Sequence, residues 1–160
     1  MNEHGFIRSV HRQLPDFLYK WKINDNFQGG VADAYYSGKG GDLWVEYKYL
    51  PALPKRMTTK LNIGLTGQQI VWLNARHDEG RHVAVVVGTP QGHRILVAKA
   101  WSQAISNSEF ISSAIATSDV AAYIVKHTTT AETSPTHAHH HSRRPGSRTA
   151  SQRDLEQEKR

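Results

Sequence analysis

Residues 82–87, HVAVVV, are an almost unbroken run of small and β-branched side chains. A strand with one wet face alternates apolar and polar positions, whereas a run without that alternation reads as a strand covered on both faces. Covering both faces of a sheet takes a layer of helices on each side, which places the chain in the α/β class. The segment before the run supplies one such helix. Thr66-Gly67-Gln68-Gln69 has the form of a capping box, in which the threonine and glutamine side chains satisfy backbone N–H groups reciprocally. Apolar positions continue through Ile70, Val71 and Leu73 to about His77, Trp72 is expected in the core, and Asp78-Glu79-Gly80 ends the helix. A helix joining two strands is the crossover that lays them side by side in parallel. The expected parallel neighbour of 82–87 is the run 43–49.

That run belongs to the stretch 29–50, GGVADAYYSGKGGDLWVEYKYL. Val31 to Tyr36 and Leu43 to Tyr49 are rich in Val, Trp and Tyr and are separated by the glycine-heavy SGKGGD, so they predict a β-hairpin. Alternation along the second strand turns Trp44, Glu46 and Lys48 to one face and Val45, Tyr47 and Tyr49 to the other, the expected core side. Asp33, Glu46 and Lys48 are thus charges set inside apolar runs. Two carboxylates beside an ammonium suit a divalent cation, because Mg²⁺ takes one or two carboxylates and fills its other positions with water and phosphate oxygens. In that chemistry Asp33 and Glu46 hold the metal, and Lys48 orients the attacking water or stabilises the transition state of phosphodiester hydrolysis. The plainer reading is a solvated Glu-Lys pair, with Asp33 opening a turn. Glycine pairs at Gly29-Gly30 and Gly40-Gly41 flank the strands, where the missing side chain lets another backbone, such as a nucleic acid strand, come close.

Phe6, Ile7, Val10 and Leu14 recur at helical spacing within 2–14, with Asn2 as cap and Pro15 as terminator. Residues 16–23, DFLYKWKI, alternate as a first strand, with Phe17, Tyr19 and Trp21 on one face and Leu18, Lys20 and Lys22 on the other. The two lysines suit either a phosphate backbone or plain solvent. After Leu50, residues 51–65 carry Pro51, Pro54, Lys55, Arg56 and Lys60, a basic loop leaving the charged strand and a candidate DNA contact. Lys39, in the hairpin turn, is a further candidate for that role. Residues 93–98 make the last strand after a turn over 88–92, and 101–125 end in a short helix capped by Ser118-Asp119 and packed on the sheet edge. His11, His77, His82 and His93 fall into no HExxH or HNH pattern and are expected as surface or half-buried imidazoles.

The 160 residues hold 20 Lys and Arg against 14 Asp and Glu, a formal charge of +6. With a pI near 9.7, this favours a polyanionic partner, and nucleic acid is the default. From Lys126 onward, Thr, Ser, His, Pro and Arg displace the large apolar residues, leaving too little apolar surface to fold alone. The expected organisation is one domain over 1–126 and a disordered tail over 127–160. In that tail His139-His140-His141 could bind metal adventitiously, and Arg143, Arg144 and Arg148 could add unspecific affinity for nucleic acid. The lack of cysteine excludes disulfides, thiolate zinc sites and a cysteine nucleophile. No apolar run approaches the roughly 18 residues of a membrane span, and the polar first residues lack the form of a secretory signal. A soluble protein of the cytoplasm is expected.

Asp33 followed by Glu46-Tyr47-Lys48 on the next strand resembles the PD-(D/E)XK nuclease superfamily, in particular its small phage and bacterial members of the VRR-NUC and Holliday junction resolvase-like type, over residues 3–98. Ala32 stands where the family name has proline. The resemblance implies a restriction-endonuclease-like α-β-β-β-α-β core with a central mixed sheet flanked by helices, an order that the periodicities reach independently. It implies a Mg²⁺-dependent deoxyribonuclease, with Mn²⁺ able to substitute, that acts as an endonuclease of phage or bacterial DNA metabolism in recombination, repair, or junction and flap processing. It adds Glu3, the acid on the first helix, and the backbone carbonyl of Tyr47 to the metal ligands, and Gln69 or Gln68 to the active site. Plainer roles are helix-dipole stabilisation for Glu3 and capping for Gln69. DNA as partner, a homodimer that cuts paired strands, and a bacterial host cytoplasm follow from the same resemblance. Two other functions stay open from the residues: a non-catalytic basic DNA-binding module with the charged trio as a surface ion pair, and a metal-dependent phosphohydrolase of nucleotides.

Overall fold

A computed structural model of the chain describes residues 1–24, 27 and 29–130. Five strands form one sheet in sequential order: β1 (Tyr19–Lys22), β2 (Ala34–Gly38), β3 (Gly41–Tyr49), β4 (Val83–Thr89) and β5 (Gly92–Leu96). Every pairing is antiparallel except β3 with β4, and helix α2 (Gly67–Asp78) makes the crossover between those two. With α1 (Glu3–His11) in front and α3 (Asn107–Ser112) and α4 (Thr117–Thr129) behind, the expected α/β class, the mixed sheet and the order α-β-β-β-α-β are all found.

All seven residues of β4 are buried, as its unbroken apolar run requires. Ala84 and Val86 face a core built from Phe6, Ile7 and Val10 of α1 and Val120, Ala121 and Ile124 of α4. Val83, Val85 and Val87 face a second core with Leu73 of α2, Phe110 of α3 and Trp101. The β2–β3 hairpin closes tightly, Gly38 pairing with Gly41 across Lys39-Gly40. Among the described residues no helix is long and apolar enough to cross a membrane.

Four expectations are corrected. Helix α4 lies across the sheet face with α1, not on its edge; its N-cap is Ala116, whose N–H is held by the Asp119 carboxylate at 3.0 Å. It also runs on to Thr129 with Thr128 fully buried, past the expected helix end near Val125; residues 131–160 of the expected tail lie outside the described residues. In β1 the lysine face is the half-buried one, because Leu18 joins the α1 core, while Phe17, Tyr19 and Trp21 are exposed. Finally, the glycines are approached by this chain itself. A Cβ on Gly30, at φ +91°, would meet the Gln68 carbonyl at 2.6 Å, and one on Gly40 would meet the backbone of Thr129 and Thr130 at 2.6–2.7 Å. They seat the start of α2 and the end of α4.

Candidate functional site

The β2 ladder begins at Ala34, opposite Val45, so beyond Val45 the β2 side of β3 has no strand beside it. Asp33 fills this place with its side chain: Oδ2 accepts the Tyr47 N–H at 2.8 Å. The N–H and C=O of a strand residue point to the same side, so the Tyr47 carbonyl is turned to the same gap. Glu46, one residue earlier, points up on the α2 face and is 1% exposed.

The Glu46 carboxylate is unevenly satisfied. Oε1 accepts from Lys48 Nζ at 3.0 Å and from Gln69 Nε2, while Oε2 is buried with no hydrogen-bond partner among the described residues. Leaving one oxygen of a buried carboxylate unpaired is costly. Burial first, and then the Asp33 charge, push the Glu46 carboxyl up to about 7 against the pull of Lys48. Burial also raises Asp33, opposed by the Tyr47 N–H, Lys48 and Lys22. Burial and Asp33 together raise Glu3. The three carboxyls are harder to ionise than usual chiefly because of burial, a cost that the nearby Lys48 offsets only in part.

The structure brings Glu3, Asp33, Glu46, Lys48 and Gln69 into this one region. The surface ion pair of the plainer reading is not found, because Glu46 is buried. Nor do Glu3, Asp33 and Glu46 converge as a ready-made ligand trio: no group of three Asp, Glu or His side chains placed to hold a metal occurs among the described residues. Lys48 and Gln69 draw one Glu46 oxygen to themselves. Gln69 makes two bonds: beside its donation to Glu46, its Oε1 accepts the Thr66 N–H at 3.0 Å to close the capping box. Gln68 packs against Gly29 and Gly30 instead.

This double role is separable. Thr66→Ala removes only the cap and is expected to cost about 1 kcal/mol of stability. Gln69→Ala also strips Glu46 Oε1 of one of its two donors and is expected to cost at least about another 1 kcal/mol, the contribution of a hydrogen bond to a buried charged group. Urea unfolding of both variants at pH 8 checks this; equal losses in the two would leave Gln69 a cap only.

The basic candidates are scattered. Lys39 sits in the hairpin turn, about 20 Å along β3 from Glu46 at 3.3–3.4 Å per residue, so it does not belong to this centre. Lys55, Arg56 and Lys60 are exposed on the loop after β3, with Lys60 3.8 Å from Glu109. That loop is held in place by α3: Asn107 N–H and Ser108 N–H donate to the Thr59 and Met57 carbonyls, both at 2.9 Å. His11 bonds the Tyr36 hydroxyl at 2.8 Å and His93 that of Thr117 at 2.9 Å, so both are structural, and His77 lies against the Trp101 ring. Sequence reasoning missed two charges near the carboxylates, Lys22 and His4, both of which lower Asp33 and Glu3. The two-lysine face of 16–23 was the available signal for Lys22; nothing in the sequence pointed to His4.

No family model and no curated protein matches this chain. Among solved structures, the chain is similar to Hjc, a Holliday junction resolvase from the archaeal hyperthermophile Archaeoglobus fulgidus, at 14% identity and a TM-score of 0.47 over 74% of this chain and 99% of that one.

Proposed function

We propose that this chain is a divalent-metal-dependent nuclease that hydrolyses DNA phosphodiester bonds, an endonuclease of phage or bacterial DNA metabolism. The observation that carries the reading is the buried Glu46 carboxylate with one oxygen tied to Lys48 and Gln69 and the other unpartnered. A cation beside Asp33 would satisfy that oxygen and offset the burial that raises all three carboxyls. The residues fit Mg²⁺, which needs only one or two carboxylates beside water and phosphate oxygens. Asp33, Glu46 Oε2 and the Tyr47 carbonyl are the groups that would hold it, with Glu3 within electrostatic reach; Mn²⁺ fits the same donors. Bound there, the ion supplies Lewis-acid polarisation of the phosphate and a more acidic water.

The protein's own groups do the rest. Lys48, 15% exposed and anchored on Glu46, presents its remaining ammonium protons to the attacking water or the phosphate oxygens, where negative charge grows in the transition state. Gln69 locks the Glu46 side chain. Exposed Lys55, Arg56 and Lys60 add attraction for the phosphate backbone. The test is cleavage of plasmid, linear and four-way-junction DNA in Mg²⁺, Mn²⁺ or EDTA by the parent and by Asp33→Asn, which keeps an acceptor for the Tyr47 N–H but loses the charge. Metal-dependent products that vanish in the variant are expected. DNA that stays intact under every condition while still bound would leave the basic binding module.

A further inference from the structure

We propose that the part of the α2 face lying over β1 and β2 seats unpaired nucleobases of single-stranded DNA, so that strands with unpaired bases are the substrate class of the carboxylate centre. The inference rests on the nuclease reading above. Helix α2 packs on β4, leaving the β1 end of this face less covered. There the strand register sets Trp21 opposite Tyr35 and Tyr35 opposite Trp44, one aromatic row across three strands. Tyr35 and Trp44 touch at a ring separation of 4.7 Å, and Trp72 of α2 stands 5.4 Å from Trp44 at the back of the row.

The row opens into a cavity of about 570 Å³ lined by Trp21, Trp44, Trp72, Lys22 and Arg76 among others, with no carboxylate among the described residues that line it. That is within the roughly 300–1,000 Å³ of small-ligand sites. Arg76 stands 5.7 Å above the Trp72 ring with its guanidinium paired to Glu79 at 2.5 Å, and Lys22, from the other face of β1, reaches the cavity wall. Exposed aromatic faces with cations at their margin are the chemistry that holds single strands, bases on the rings and phosphates on the charges. Trp21 is 49% exposed on an edge strand, where the core has no need of an indole. Bases in an intact duplex are stacked on one another and cannot offer their faces. Trp44 and Glu46 are two residues apart on the same face of β3, about 7 Å, so a base seated at the row brings a neighbouring phosphodiester to Glu46 and Lys48.

The test measures binding in EDTA, so that no strand is cut, of equal-length oligo-dT, duplex and abasic single strand to the parent, Trp21→Ala and Trp21→Phe. Trp21→Ala is expected to weaken oligo-dT binding about tenfold, the loss typical of one stacked base, with duplex and abasic strand within about twofold; Trp21→Phe restores most of the affinity. Equal affinity for oligo-dT and the abasic strand, or equal losses on all three DNAs, would overturn the proposal. Cleavage in Mg²⁺ is read separately. Asp33-dependent cutting without a stacking preference overturns this inference alone, whereas a stacking preference without Asp33-dependent cutting overturns the nuclease reading and with it the assignment of substrate.

Discussion

Lys48→Met is expected to lower single-turnover DNA cleavage about 10²–10³-fold, the usual loss when one preorganised donor to a developing negative charge is removed. Methionine keeps the length and apolar stem of lysine, so packing beside Glu46 is preserved while the ammonium 3.0 Å from Oε1 is lost. Two routes lead to that loss, and pH separates them. Lys48 is among the charges that lower the Glu46 carboxyl; without it, burial and Asp33 push that carboxyl further up, and Glu46 becomes protonated at neutral pH. If that is the whole effect, raising the pH to 9 restores cleavage to near the parent level. If Lys48 acts on the water or phosphate itself, the deficit persists at every pH. Activity above a tenth of the parent at pH 7.5 would remove Lys48 from the chemistry. Lys48→Arg is not a rescue, since a planar guanidinium does not replace a compact ammonium.

The sheet was legible because its signals are local. The run 82–87 has no polar position to turn outward, the hairpin has its glycines, and the capping box at Thr66 fixes the crossover helix. Helix α3 escaped because six residues are too few to show a helical period, although Ser106 and Glu109 form a capping box of the same kind as that at Thr66. Placing α4 on the sheet edge failed for a different reason: Val120, Ala121 and Ile124 reveal an apolar stripe, but not that the face beside α1 is vacant for it. The same limit applies to β1. Alternation separates Tyr19 and Trp21 from Lys20 and Lys22, yet which side faces the core depends on where α1 packs. At the centre, the pattern Asp33 and Glu46-Tyr47-Lys48 named the residues, while the burial of Glu46 needed α2 to be placed over it. What the pattern could not contain is the Asp33 bond to the Tyr47 N–H, which exists only because β2 begins one residue later.

Glu46→Gln is expected to separate stability from activity. If Glu46 holds the proposed cation, its loss removes several kcal/mol of transition-state stabilisation, a factor of about 10³ or more in cleavage. Stability in EDTA moves the other way. The folded Glu46 carboxyl sits at about 7 and its ordinary value is 4.5, so below pH 4.5 both folded and unfolded chains hold the proton. Between 4.5 and 7 the unfolded chain releases it and the folded one retains it, so folding stability falls as pH rises; above 7 the folded protein carries the cost in full, about 3 kcal/mol. Glutamine never ionises. The variant is therefore expected to match the parent in urea unfolding at pH 4 and to exceed it by about 3 kcal/mol at pH 8. Adding Mg²⁺ at pH 8 should stabilise the parent and leave the variant unmoved, because only the parent gains a bound ion. A variant less stable than the parent at pH 8 in EDTA would mean that the ion pair with Lys48 outweighs the burial of Glu46. The carboxylate would then be a structural anchor, and the unpartnered oxygen would no longer argue for a cation.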